Sequence, residues 1–242
     1  MPASSNFNQA IREAQTRAIV GPNVVQKALP YVGGGMALTS FGAIGGLTLS
    51  ESSIYGPLFI IAIIAQLVLF FVASSAANNA NNTKALPLLA TYSLLTGFTL
   101  SGIIKYAVVT IGVGSIATAA LATGITFIIA SYTGQRMSDN VGQALSGVVG
   151  LGMIGLIIAM VIQIFGSLFT SGGMPPGFEL MIAGFGTVLF VAMSFVDFYT
   201  MPRRYTDDQY LAGALGMYLT YINLFVFILR LMIALNGGGR RD

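Results

Sequence analysis

The sequence predicts an all-α polytopic membrane protein with seven transmembrane helices, and three observations carry that prediction. The 242-residue chain holds only eleven Lys or Arg and eight Asp or Glu. Apolar residues make up 55% of it and mean hydropathy is +0.81, whereas a soluble domain carries about a quarter charged residues. Most of the charges also fall between seven apolar stretches, each close to the roughly 20 residues that cross a bilayer as a helix.

Taken in order, the stretches are Leu29–Ser50, Tyr55–Ala77, Ala85–Val108, Ile111–Thr133, Ala144–Thr170, Phe178–Tyr199 and Leu211–Leu235. Polar punctuation separates them: Glu51-Ser52-Ser53, Asn78–Lys84, Gln135–Asn140, Gly172–Gly177 and Met201–Gln209. The third and fourth stretches meet with almost no loop, near Lys105–Gly114. Ahead of them, residues 1–28 form a polar segment carrying Arg12, Glu13, Arg17 and Lys27, with no apolar core of the kind a cleaved signal peptide needs. Ile11, Ala14, Ala18 and Ile19 can share one face of a surface helix, or the segment can be a partly ordered tail. The expected division is a polar segment, 1–28, and a transmembrane domain, 29–242.

Orientation follows from Lys and Arg in the connections. With the N-terminus cytoplasmic, the inner segments hold Arg12, Arg17, Lys27, Lys84, Arg136, Arg203 and Arg204, and the outer ones only Lys105, Arg240 and Arg241. Without targeting signals, the expected host is a bacterial-type plasma membrane or an internal membrane derived from it.

Composition also excludes chemistry. No Cys is present, so disulfides, thiolate metal sites and cysteine nucleophiles are absent. No His is present either, which removes the commonest general base and metal ligand. No serine stands beside an intramembrane base, and only Asp197 is an embedded aspartate, so an enzyme is not expected. The net charge of +3 and pI near 9.3 reflect the connections, with no basic stripe for nucleic acid. Asp207 and Asp208 share a loop with Arg203 and Arg204 and read as a self-neutralising turn. Asn81-Asn82-Thr83 matches a glycosylation acceptor, which the expected cytoplasmic placement makes moot.

Glycines crowd the spans. Gly42 and Gly46 have the spacing that lets membrane helices approach until backbones touch, and they read as packing. The third-span hydroxyls Thr91, Ser93, Thr96, Thr99 and Ser101 can bond their own backbone.

The last two spans carry the candidate chemistry. At 100° per residue, Gly213, Gly216, Thr220, Asn223, Phe227 and Arg230 share one face of the seventh helix. Leu211, Leu215, Ile222, Phe225, Val226 and Leu229 occupy the other side. The polar face must look into the protein, because lipid cannot satisfy Asn223 or Arg230. On the sixth helix, Glu179, Ala183, Gly186, Phe190, Met193 and Asp197 fall along one stripe. Glu179 and Asp197 lie five turns apart, roughly 27 Å at 1.5 Å per residue, so an acid is expected near each mouth.

Two acids at the mouths of a protein-lined path would attract cations. Glu179 can equally be an interfacial residue, and Asp197 can pair with Arg203, Arg204 or Arg230. A carboxylate with hydroxyl and amide neighbours offers hard donors suited to a weak, transient Ca²⁺ site. The candidate cation path is Asp197, Thr220, Asn223, Glu179 and Arg230, with Asp197 as the metal-facing acid. Gln66 and Gln163 can line that path or bridge helices.

Two strings carry a resemblance. Gly186-Thr187-Val188-Leu189-Phe190 through Asp197, then Ala214–Phe225 and Leu229-Arg230, resembles the closing signature of the Bax inhibitor family. Leu95-Thr96-Gly97-Phe98-Thr99-Leu100-Ser101 resembles that family's third-span segment. The resemblance implies six helices around a central, apolar seventh and a Ca²⁺ leak gated by pH. It also implies, from some bacterial members, a second role: a non-conducting partner beside a larger membrane complex or membrane-bound protease.

In the family a pair of aspartates, one on each of the last two helices, shares a proton and works the gate. Asp197 matches the first, but the second position is Thr220, which cannot hold a proton in common with it. A basic cluster that latches the aspartate in some relatives is also missing, the matching stretch being Ala73-Ser74-Ser75-Ala76-Ala77-Asn78-Asn79. The expectation is a cation path with a weakened acid-sensitive gate.

Overall fold

The structure, a computed structural model, describes residues 19–169 and 176–237. Expectations for the first eighteen residues, for most of the Gly172–Gly177 connection and for Arg240 and Arg241 lie outside these. Every long element among the described residues is a helix: α1 Val24–Leu49, α2 Tyr55–Asn78, α3 Asn82–Ile111, α4 Gly114–Gly134, α5 Asp139–Phe169, α6 Pro176–Arg204 and α7 Tyr210–Gly237. All seven are long and apolar enough to cross a membrane.

The observed helices overrun the apolar stretches because polar residues extend their ends. α1 begins at Val24, five residues before the predicted span, and α5 begins at Asp139, whose carboxylate sits in the first turn. The predicted start of the fourth span is corrected: Ile111 closes α3, and α4 opens at Gly114. Gly112 makes the break. It takes a positive φ of 87° while its N–H bonds back to the Val108 carbonyl, a conformation that favours glycine. At the α2–α3 turn Ala80 is also left-handed, φ 54°.

α7 is the hub. It packs against α1, α2, α3, α4 and α6. Its predicted greasy side is therefore core: Leu211, Leu215 and Leu229 are buried against the inner bundle. α2 and α5 lie outside and expose Ile60, Ile64 and Leu67, and Val148, Leu151 and Ile154, as a lipid-facing surface requires.

Gly42 and Gly46 face α3 within the same chain. A Cβ on Gly42 would overlap the Leu94 carbonyl, and one on Gly97 the Thr39 carbonyl, so α1 and α3 touch backbone to backbone. The α3 hydroxyls bond largely as expected, Thr91 to the Pro87 carbonyl at 2.9 Å and Thr96 to Tyr92 at 2.9 Å. Gln66 bridges helices, donating to Thr96 Oγ1 at 2.6 Å and accepting from Thr99 Oγ1 at 2.9 Å.

Candidate functional site

The two predicted stripes of α6 and α7 face each other along their length, antiparallel. At one end Arg230 meets Glu179. In the middle the Phe227 ring fills the space where a Gly186 Cβ would stand and stacks on Phe190, centroids 5.3 Å apart. Further along, Asp197 lies opposite Thr220, and at the far end the Met201 side chain fills the gap above Gly213. Small residues on one helix receive large ones from the other, which fixes the register.

Between the Phe190–Phe227 stack and Met201 the seam opens into a cavity of about 300 Å³. Asp197, Thr220 and Asn223 line it, with Met193 and Thr200 of α6, Gly213 and Gly216 of α7, and Met153 of α5. Gly216 keeps the α7 wall recessed, since a Cβ there would meet nothing within 4 Å. The Asp197 Oδ2 is sealed from solvent and has no hydrogen-bond partner. Asn223 commits its Nδ2 to the Leu219 carbonyl at 2.8 Å, which leaves its Oδ1 as a hard donor on a residue lining the same cavity. Carboxylate, hydroxyl and amide oxygens thus converge on one chamber, a set too small to hold Ca²⁺ tightly. Among the described residues no group of three or more carboxylates forms a metal cluster.

Arg230 and Glu179 belong to a different cluster. Arg230 donates Nε to Glu179 Oε1 and Nη2 to Oε2, both at 2.9 Å, a bidentate pair. Gln163 of α5 completes it, donating to Glu179 and accepting from Arg230 at 3.0 Å. Glu179, expected as one of two acids drawing cations at the mouths, is here paired with Arg230. Burial of both side chains to 17% and 34% exposure makes neutralisation by Arg230 the better solution for Glu179. Gln163 bridges helices here and does not line the chamber.

None of the three expected arginines forms an ion pair with Asp197. Arg230 is held by Glu179; Arg203 donates to Asp139 Oδ1 at 3.0 Å and to the Tyr199 carbonyl at 2.8 Å. Arg204 lies over the Tyr205 ring, 5.4 Å from its centroid, and lines the Asp197 chamber. The self-neutralising turn is likewise corrected. Asp207 accepts from the Asn23 backbone and side chain, both at 2.9 Å, tying the α1 start to the α6–α7 connection.

Thr200, Arg204 and Met153 were missed as chamber residues. The first two stand three and seven positions after Asp197, a helical spacing that places them on its face. Nothing in the sequence signals Met153, because α5 reaches the chamber only through its packing on α6.

The profile of a family described as Inhibitor of apoptosis-promoting Bax1 matches residues 21–237. An uncharacterized membrane protein of Streptococcus pyogenes serotype M1 is 34% identical over 189 residues, 75% of this chain and 74% of the relative. A Deinococcus radiodurans protein is 27% identical over 206 residues, 81% of this chain and 79% of its own length. Bax inhibitor 1 of Schizosaccharomyces pombe is 35% identical over a shorter stretch of 57 residues, 24% of this chain and 21% of that protein. A profile that runs from the threshold of α1 to the end of α7, with relatives alike over about three quarters of their length, places the chain in the Bax inhibitor family.

Proposed function

We propose that the protein is a cation leak path, favoured for Ca²⁺, that no longer carries the acid-sensitive gate its family relatives imply. One observation supports this most: Asp197, one carboxylate oxygen of which is buried and without a partner, lines a chamber together with Thr220 and Asn223. A cation passing the chamber exchanges water for these oxygens, and so weak a set releases it again, as conduction requires. Thr220 stands where a second carboxylate would share a proton with Asp197. A hydroxyl offers an oxygen ligand but no second negative charge, so there is no acid pair to open and close.

Flux of Ca²⁺ into liposomes holding the purified protein, followed between about pH 5 and pH 8, tests the proposal. The expected result is flux that varies smoothly with pH and falls about tenfold in Asp197→Asn. A steep closure on one side of neutrality, abolished by Asp197→Asn, shows a surviving gate. Absence of flux in every condition overturns the leak.

A second reading is favoured by α5. Its Gly147, Gly150 and Gly155 present open, unfilled positions on a helix packed chiefly on α6. Such a face suits close approach by another membrane helix. On this reading the chain is a non-conducting partner of a larger membrane complex or protease. Recovery of a stoichiometric partner in mild detergent, with no flux, selects it.

A further inference from the structure

The structure assigns Arg204 as the electrostatic guard of the Asp197 chamber, the residue that sets which charge reaches the carboxylate from the α6 C-terminal end. The assignment deepens the proposed leak and rests on reading the chamber as an ion's route.

Met193, Asp197, Thr200 and Arg204 follow one another at helical spacing and all line the same cavity. Asp197 and Arg204 are two turns apart, about 10 Å along the axis. The Arg204 guanidinium stands over the Tyr205 ring, 5.4 Å from its centroid, and its side chain lines the cavity that holds Asp197. Arg204 is exposed while the Asp197 Oδ2 is sealed, which puts the positive charge at the mouth and the negative one inside.

The neighbouring cations are spoken for. Arg203 is bonded to Asp139 and to the Tyr199 carbonyl, and Lys27 donates to the Asp207 carbonyl at 3.2 Å. Among the described residues Arg204 forms no ion pair, so no carboxylate neutralises its charge where it lines the cavity. Of the acids around the α6 C-terminus, Asp139 is paired with Arg203 and Asp207 accepts from Asn23. A fixed charge at the mouth of a low-dielectric cleft changes local ion concentration by about tenfold or more. Arg204 therefore slows cations on their way to Asp197 and admits anions more readily than the chamber's acid alone would.

The absence of native cysteine makes the test clean. Thr200→Cys places a single thiol between Arg204 and Asp197. Its modification rate is measured with a cationic trimethylammonium methanethiosulfonate and with the anionic sulfonate of similar size. Arg204→Gln is expected to raise the cation-to-anion rate ratio about tenfold at low salt, with the effect shrinking in high salt. Arg204→Lys is expected to keep the original ratio, which separates charge from shape. An unchanged ratio in Arg204→Gln overturns the assignment, as does a thiol that neither reagent reaches. The readout does not depend on conduction: a shifted ratio without Ca²⁺ flux sinks the leak and leaves the guard standing. Flux without a shifted ratio does the reverse.

Discussion

The α1–α3 seam and the α6–α7 seam solve the same problem in opposite ways. Both join two membrane helices over most of their length, and both use glycine. In the first, Gly42 and Gly46 of α1 and Gly97 of α3 remove side chains from both partners, and the backbones close on each other. Thr39 of that seam fills what polar capacity remains, donating or accepting with Tyr218 at 2.6 Å. In the second, two glycines face large side chains: Gly186 takes Phe227 and Gly213 takes Met201. Knobs of that size hold the helices apart, and between two of them lies the Asp197 chamber. Glycine facing backbone seals a seam; glycine facing a knob leaves room for chemistry.

The α1–α3 seam is most vulnerable at Gly97. Its Cβ would collide with the Thr39 carbonyl, which is backbone and cannot turn aside. Gly97→Val is expected to cost about 3 kcal/mol, the upper end for overpacking, read as a lowered midpoint in thermal or SDS unfolding. Gly33→Ala on the same helix as Gly42 is the control, since nothing lies within 4 Å of its added methyl. That variant should match the wild type or gain up to about 1 kcal/mol, because alanine is the better helix former.

The second break is at the polar end of the α6–α7 seam. Arg230→Met leaves Glu179 charged and partly buried, with Gln163 alone to satisfy it. Losing one member of a fully buried pair costs about 3–5 kcal/mol; partial exposure lowers the expectation to about 2 kcal/mol. The double variant Arg230→Met, Glu179→Leu should recover most of the loss in the same unfolding measurement. A double variant as unstable as the single one would mean that the pair fixes the register of the seam.

Gln66→Leu sharpens the contrast at a smaller scale. It removes two interhelical bonds between α2 and α3, to Thr96 and from Thr99. Polar bonds between membrane helices average about 0.6 kcal/mol, so the loss should be near 1 kcal/mol. No loss would show that both hydroxyls fall back on the carbonyls of Tyr92 and Thr96, which they already reach at 2.9 and 3.0 Å.

Most of the fold was legible because the bilayer imposes a length, and charge marks where each length ends. Helix faces were legible for the same reason: Asn223 and Arg230 cannot face lipid, so the inward stripe of α7 could be drawn from spacing alone. Pairing was not. Spacing places Glu179 and Arg230 on inward stripes but leaves open whether they meet each other or meet Asp197, because the relative register of two helices depends on which knobs fill which glycines. The antiparallel run of α6 and α7, fixed by Phe227 in Gly186 and Met201 over Gly213, decides it. The α5 contribution was the least legible. Met153 is one more apolar residue in an apolar helix, and only packing brings it to the chamber.

At the end of the bundle away from the chamber, Lys105 of α3 reaches the α1–α2 turn and clamps Glu51 and Ser50, the latter at 3.1 Å. The pair crosses the tight seam at its solvent edge, where it contributes least. The Lys105 ammonium, by hydrogen bond and charge, holds the Glu51 carboxyl below the usual carboxylate range. A folded-state pKa lowered in this way gives stability that is present above the ordinary glutamate pKa and is lost as pH falls through the folded value. Unfolding midpoints of wild type and Lys105→Gln should therefore differ slightly at neutral pH and converge in acid. Because Glu51 is fully exposed, the gap should also close on adding salt. A gap that persists in acid and in salt would show that Lys105 acts through Ser50 and its packing on α1, making this edge part of the close seam and not an ion pair laid over it.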